Sequence, residues 1–293
     1  MMWSDRLLIC TDLDGTLIPD GPEPQSYAAR EHFSTLASHP RVELAYVSGR
    51  HSELIEQAIA INHLPVPDFV IGDVGTTIYH VGNDHDWKYQ AHWEEIIGND
   101  WGNSSHADLA AILSDLRTLQ MQEPARQNKF KLSFYISPHV DRSVLEDAII
   151  HRLDAHGVQA RLIWSVDRPA GTGLLDIVPQ RASKLHAIEE LMQQQGYGFR
   201  NTVFCGDSGN DLEVLVSPLQ AVVVANALQE IKDRARELAD KSGNSAQLYV
   251  ARGGFMGMNG NYSAGILEGI AHYYPRAIEW MGFPQALQSR CAF

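Results

Sequence analysis

Asp12 and Asp14 stand two residues apart at the end of a short apolar run, Leu7-Leu8-Ile9-Cys10, with Gly15-Thr16 directly after them. In an extended chain, residues i and i+2 project to the same side. If the run is a buried strand, the two carboxylates project together at its carboxyl end, where open α/β sheets bind their ligands. Like charges that close repel, and an unpaired buried carboxylate is costly. A divalent cation would relieve both problems. Gly15 lets the chain turn away sharply. By itself the stretch also reads as a strand ending in a polar turn, with Asp-Gly as the turn signal.

Three later segments have the same character: Ser48-Gly49-Arg50, Lys184, and Gly206-Asp207-Ser208-Gly209-Asn210-Asp211. Each ends an expected strand or opens an expected helix. Taken singly each has an ordinary explanation. Ser-Gly is a common turn, a helix-starting lysine is commonly a solvated charge, and the last loop has turn chemistry throughout. That loop is not an EF-hand, because its glycine and distal glutamate fall in the wrong places. The 13 histidines are scattered without metal-ligand spacing. Cys10, Cys205 and Cys291 have no metal-type spacing either, and the first two read as small core residues in strands.

The elements that must carry these residues alternate. Strands are expected at Leu7–Cys10, Val42–Val47 and Phe69–Gly72, with helices over Tyr27–Ser38 and Ser52–Ile61 between them. Gly75–Tyr79 reads as a turn and return strand. That spacing predicts an α/β protein with a doubly wound parallel sheet. Between about Asn83 and Gln180 the alternation loosens. Trp87, Trp93 and Trp101 fall in an aromatic stretch read as helical, its tryptophans as core. Helices are expected over Leu109–Leu119 and Val144–Leu153. Strands are expected over Phe130–Ser137, Ala160–Val166 and Leu174–Val178, with Gly171-Thr172-Gly173 as a turn. The doubly wound pattern then resumes. It gives a helix over Lys184–Gln195, a strand over Asn201–Cys205, a helix from Val214, a strand over Ala221–Val224 and a helix over Leu228–Ala239. A Gly- and Met-containing loop over Gly253–Tyr262 precedes a last helix, Ser263–Tyr273. The division expected is a core in two parts, 1–82 and 181–293, around a smaller α+β insert, 83–180. After Pro275 the chain is apolar enough to pack on the core or on a partner.

With 23 basic and 36 acidic side chains the 293-residue chain carries a net charge of −13. That argues against nonspecific binding to nucleic acid or an anionic membrane. An anionic substrate would therefore need individual Lys or Arg residues near the carboxylates. No apolar run approaches a membrane span and the first residues lack the pattern of a signal peptide. The location expected is cytoplasmic, with a monomer favoured.

Taken together, the four segments resemble the four motifs of the haloacid dehalogenase superfamily of phosphotransferases. The insert follows the third strand, which is similar to the second-class, Cof-type cap. Longer stretches resemble the sucrose-phosphate phosphatases: 72–80, Asn128-Lys129-Phe130-Lys131-Leu132-Ser133, 176–184 and 264–272. The stretch Arg252–Asn261 is longer and richer in glycine than the compact bacterial form would have. The resemblance implies a Rossmann-like core with an inserted α+β cap. It implies Asp12 as nucleophile and Asp14 as general acid and base. It also implies Mg²⁺ held by Asp12, the Asp14 carbonyl and Asp207, with Asp211 as a metal-site residue behind them. Ser48, Gly49 and Lys184 would bind the phosphoryl group. Arg50, Lys131, Gln180, Arg181, Ser208 and Asn210 are the candidates for contact with the sugar.

The expected function is a Mg²⁺-dependent sugar-phosphate phosphatase acting through an aspartyl-phosphate, with sucrose 6-phosphate as first substrate. The alternatives are mannosylfructose phosphate, a glycosyl-3-phosphoglycerate or an amino-sugar phosphate. A reading of another class is a non-catalytic phosphosugar-binding partner of a glycosyltransferase. No nucleic-acid or membrane partner is expected.

Overall fold

The computed structural model describes residues 6–82, 86–167 and 171–284. Their strands form two sheets. The large one contains β1 (Leu7–Thr11), β2 (Val42–Val47), β3 (Phe69–Gly72), β4 (Thr77–Val81), β5 (Trp87–Tyr89), β10 (Thr202–Gly206), β11 (Gln220–Val223) and β12 (Leu248–Val250). The small one contains β6 (Gln120–Met121), β7 (Leu132–Ile136), β8 (Ala160–Asp167) and β9 (Thr172–Pro179).

In the large sheet the order is β12-β11-β10-β1-β2-β3-β4-β5. Neighbours from β12 to β3 run parallel, while β4 and β5 return antiparallel. All five residues of β1 are buried, so the strand reads as an unbroken apolar run, the signature of a sheet covered on both faces. Leu7 and Ile9 face α1 (Ala29–Ala37), α2 (Ser52–Asn62) and α9 (Ser263–Tyr273). Leu8 and Cys10 face the other layer, which holds α3 (Ala91–Gly98), α6 (Lys184–Gln195), α7 (Leu212–Leu215) and α8 (Gln229–Lys241). This is the doubly wound core. It places the carboxyl ends of β1, β2 and β10 side by side.

The small sheet, ordered β6-β7-β9-β8, is antiparallel and two-faced. Leu132, Phe134, Ile136, Leu175 and Ile177 pack on α4 (His106–Ile112) and α5 (Arg142–Ala155). The alternate residues Ser133, Asp176 and Ile163 are cross-strand neighbours on the opposite face. A half-covered antiparallel sheet produces this alternation of apolar and polar positions.

Several elements differ from the sequence reading. Trp87 lies in β5 and not in a helix, paired antiparallel with Val81. Both β5 and α3 (through Trp93 and Ile97) pack with the large sheet. Trp93 and Trp101 are buried core residues, as the sequence suggests. The helix expected to reach Leu119 stops at Ile112, where the Ser114 hydroxyl takes the Ala111 carbonyl (2.7 Å) in competition with the helix backbone. The helix expected from Val214 is a single turn, because Pro218 disfavours helical backbone at Ser217. Thr172 and Gly173 belong to β9 rather than to a turn. The short strands β6 and β12 have too few residues to show a period. After Pro275 the chain packs on the core. Ala277, Met281 and Phe283 are buried there, and the His32 ring lies 3.9 Å from that of Phe283. Cys291 and the end of that tail lie outside the described residues. No helix among the described residues is long and apolar enough to cross a membrane.

Candidate active site

Asp12 follows β1 directly, and its N–H extends the pairing with β10 by donating to the Cys205 carbonyl (2.9 Å). Its side chain is buried. Lys184, the first residue of α6, reaches it from the next layer. The Ser183 side chain caps that helix by accepting the His186 N–H, which fixes the first turn. The Lys184 Nζ donates to Asp211 (2.7 Å), Asp12 (3.1 Å) and Asn210 (3.3 Å). Gly75 makes this approach feasible, since a Cβ there would lie 2.3 Å from the Ser183 carbonyl carbon.

Asp211 is fully buried. Besides Lys184 it accepts the N–H groups of Asp207 and Ser208 (3.1 Å each) and the Ser208 hydroxyl (3.2 Å). Asp207 accepts the Thr16 hydroxyl (2.9 Å). Carboxylate oxygens of Asp12, Asp207 and Asp211 lie within 4.8 Å of one another. Burial pushes Asp12 well above the usual carboxylate range. Lys184 opposes that rise, and Asp211 and Asp207 add to it. Burial and then Asp211 push Asp207 up to about 7. Burial pulls Lys184 down, but Asp12 and Asp211 more than offset it and the net shift is upward. Three carboxylates around one ammonium leave an excess of negative charge. An all-oxygen donor set of this kind suits a hard divalent cation such as Mg²⁺. Asp211 is already taken by four donors, which leaves Asp12 and Asp207 as the freer carboxylates.

Asp14 points elsewhere. The Arg50 guanidinium holds it with two bonds, Nε to Oδ2 (2.8 Å) and Nη2 to Oδ1 (2.6 Å). The Ser48 hydroxyl is buried and accepts the Arg50 N–H (3.2 Å). Behind them lies a turn with three successive left-handed residues, Asp73 (φ 50°), Val74 (φ 56°) and Gly75 (φ 98°). The N–H groups of Asp73 and Val74 donate to the carbonyls of Arg50 (2.8 Å) and Ser48 (3.2 Å). Left-handed backbone at a non-glycine residue is strained and persists only when its surroundings impose it.

Between this floor and the polar face of the small sheet lie two adjoining clefts that share Val74, Ile163 and Asn210. One, of about 340 Å³, runs past Lys184, Ser183, Arg161 and Glu213. The other, of about 180 Å³, has Gly49, Arg50, Lys131, Ser133 and Asp176 among its walls. Lys131 is buried and bonded to Asp73 (2.5 Å). Ser133 donates to Asp176 (2.5 Å), whose carboxyl is pushed up by burial. Arg161 of β8 bonds Glu213 of α7 (2.5 Å), joining the two sheets' layers across the larger cleft. Apolar walls with a few convergent polar groups are the usual form of a small-molecule site.

A family model of sucrose-6F-phosphate phosphohydrolase matches residues 5–274. The chain belongs to that family. A Nitrosococcus oceani protein described as a HAD-like hydrolase is 51% identical over 94% of this chain and 74% of its own length. The mannosylfructose-phosphate phosphatase of Agrobacterium fabrum is 30% identical over 78% of this chain and 87% of its own. Among solved structures, the sucrose-phosphatase of Synechocystis, in complex with sucrose and phosphate, superposes with a TM-score of 0.71. It is 26% identical and covers 92% of this chain and 98% of that one. The protein is accordingly a haloacid dehalogenase superfamily phosphatase, a phosphoric monoester hydrolase, with a Cof-type cap over a Rossmann-like core.

In this sucrose-phosphate phosphatase family member, Asp12, Ser48, Gly49, Lys184, Asp207, Asn210 and Asp211 gather at the carboxyl end of the core sheet. Arg50 and Lys131 reach the smaller cleft, but each already has a carboxylate partner. Arg181 lines neither cleft; its side chain pairs with buried Asp100 (3.1 Å), and its N–H donates to the same carboxylate (2.7 Å). Gln180 is exposed, and its carbonyl accepts from Arg161 (3.3 Å). The Ser208 hydroxyl is turned into its own loop, on Asn210 and Asp211. Sequence reasoning passed over Ser133, Asp176, Arg161 and Glu213. The polar positions alternating with Leu132, Phe134, Leu175 and Ile177 were the available signal for the first two. Nothing local marks Arg161 and Glu213, which are paired only by the fold. The Gly253–Tyr262 loop lines neither cleft.

Proposed function

We propose that the protein hydrolyses sucrose 6-phosphate to sucrose and phosphate through a covalent phosphate on Asp12. The observation that carries this reading is Lys184 held between Asp12 and Asp211 beneath the capped cleft, in a chain matched over nearly all its length by the sucrose-6F-phosphate phosphohydrolase family. Asp12 attacks phosphorus and the bond to the sugar oxygen breaks. Asp14 gives that oxygen its proton and then takes one from the water that cleaves the acyl phosphate. Lys184, the Ser48 hydroxyl and the backbone N–H groups near Leu13 and Gly49 hold the phosphoryl oxygens, where charge builds up in transfer. Asp12, Asp207 and the Asp14 carbonyl would hold Mg²⁺, which would add to the neutralisation of that charge. Asp211 keeps Lys184 and the Asp207 loop in place. We take the cap as the unit built on the small sheet, about 99–180. Its polar face receives the sugar and closure keeps bulk water out.

A second reading is mannosylfructose phosphate, favoured by the 30% identity to a phosphatase of that name over 87% of its length. The test is phosphate release, with Mg²⁺ and with chelator. The substrates are sucrose 6-phosphate, mannosylfructose phosphate, a glycosyl-3-phosphoglycerate and an amino-sugar phosphate. Mg²⁺-dependent turnover selective for sucrose 6-phosphate is expected. Selectivity for another of the four would keep the chemistry and replace the substrate. Asp12→Asn is expected to abolish turnover, and unchanged release by that variant would sink the nucleophile assignment.

A further inference from the structure

The loop over 252–262 is clamped along its length although it touches neither cleft. Buried Glu268 on α9 accepts the N–H groups of Arg252 (2.8 Å) and Gly253 (2.9 Å) and the Tyr249 hydroxyl (2.8 Å). Asn259 and Asn261 donate their side-chain amides to the Pro24 carbonyl (2.7 and 3.1 Å). The loop ends at buried Tyr262, whose φ of 51° is a conformation that a bulky residue keeps only under restraint. The restraint is Asn226. Its Oδ1 accepts the Tyr262 N–H (2.8 Å), and its Nδ2 donates at 2.6 Å to the carbonyl of Gly15, the residue after Asp14. An N–H on one side and a carbonyl on the other admit a single orientation of the amide.

Gly15 is fixed from the other side as well. It has φ 74°, and a Cβ there would lie 2.4 Å from an Asp207 carboxylate oxygen. Arg50 holds the far end of Asp14, and Asn226 holds the carbonyl of Gly15, one residue past it. We infer that Asn226 is a positioning residue for Asp14, and that the loop 252–262 is the brace that aims its amide. This rests on the reading of Asp14 as the proton donor and acceptor. A misplacement of about 1 Å can cost up to about a hundredfold in rate, and binding of the phosphosugar by the cap and Lys184 would be left untouched.

Asn226→Asp separates the brace from simple stability. It keeps the shape and the acceptor for Tyr262 but loses the donor to Gly15. Expected is a kcat about ten- to a hundredfold lower with KM within about threefold of the parent, the pattern of a defect confined to the transition state. Glu268→Gln, which loosens the loop without touching Asn226, should lower kcat in the same direction. The double variant should lose less than the product of the two single losses. An unchanged kcat per folded molecule in Asn226→Asp, a rise in KM alone, or fully multiplicative losses would overturn the inference. Should Asn226→Asp not fold, the kcat and KM of Glu268→Gln decide by the same criteria. Asp12→Asn is measured alongside. Persistent turnover there would mean that the reading of the site had failed, whereas its loss with a normal Asn226→Asp would mean that only the brace had failed.

Discussion

Arg50 and Asp14 face each other as a fork on a fork, with two near-parallel bonds of 2.8 and 2.6 Å across the gap between the ends of β2 and β1. Each side chain is still partly open to solvent, where screening weakens the pair's contribution to stability. Its consequence is geometric, because two bonds fix a carboxylate plane where one would leave it free to rotate.

If Asp14 is the proton donor and acceptor as proposed, Arg50→Ala should lower kcat by about ten- to a hundredfold, less than the roughly 10²–10⁴ that an acid–base group is worth. Arg50→Lys should not restore it, since an ammonium lacks the planar fork. Steady-state kinetics decide the matter. A parental kcat in Arg50→Ala would reduce the pair to a surface contact.

Lys184→Met should be both inactive and unstable. It leaves Asp12 and Asp211 buried with no cation between them, and removing one partner of a buried ion pair costs about 3–5 kcal/mol. Denaturant unfolding in chelator would measure this. A stability loss under about 1 kcal/mol would mean that the carboxylates find other partners or take up protons.

Gly75→Ala tests the close packing that brings Lys184 to the site. The new methyl meets backbone at Ser183 and cannot swing aside, and φ 98° is itself unfavourable for alanine. The start of α6 must move, so activity should fall with stability. Wild-type kinetics in this variant would show that the contact is not needed.

In the ion-free protein, the stability contributed by the acidic site should fall as pH rises from about 4 to about 7. Asp207, lifted by burial and Asp211 from 3.8 to about 7, binds its proton more tightly folded than unfolded. At this site the unfolded chain holds fewer protons over that window, so the contribution of Asp207 to the slope is negative. Asp12, raised by burial, acts in the same sense. Lys184 is raised from 10.5, so its contribution is complete throughout this window and is lost only at alkaline pH. Melting temperatures in chelator, compared between the parent and Asp207→Asn, should show a shallower fall in the variant. Added Mg²⁺ should flatten the fall in the parent. A parent stabilised by rising pH in chelator to the same extent as the variant would refute the assignment.

Much of the core was legible because its elements are long or sharply bounded. The limits of β2, α6 and α9 follow from β-branched and apolar runs and from the serine that caps α6. The residues converging at the strand ends were legible for a related reason: each interrupts or follows an apolar run. Partners were not. Lys131 was picked out as a sugar contact, but Asp73, which occupies it, sits in a left-handed turn that no local signal announces. Arg181 was assigned to the same role, and its partner Asp100 lies 81 residues away. The aromatic content around Trp87 points to a helix, whereas its antiparallel register with β4 decides the strand. Pairings made by tertiary contact leave no period in the sequence.

The position of β1 in the sheet also governs how the protein can be made. Its two neighbours are β2 and β10, with Thr11 opposite Tyr46 on one side and Cys205 on the other. While the chain is being synthesised, one edge of this fully buried strand has no mate until residues 202–206 have left the ribosome. Pairings that span so much chain form slowly, and an unpaired apolar edge invites aggregation in the meantime. The cap, whose strands pair among themselves within a single continuous segment, is under no such delay. Nascent chains should therefore acquire a folded cap before they acquire a reaction centre, and heavy reliance on chaperones during expression would be a property of the strand order itself.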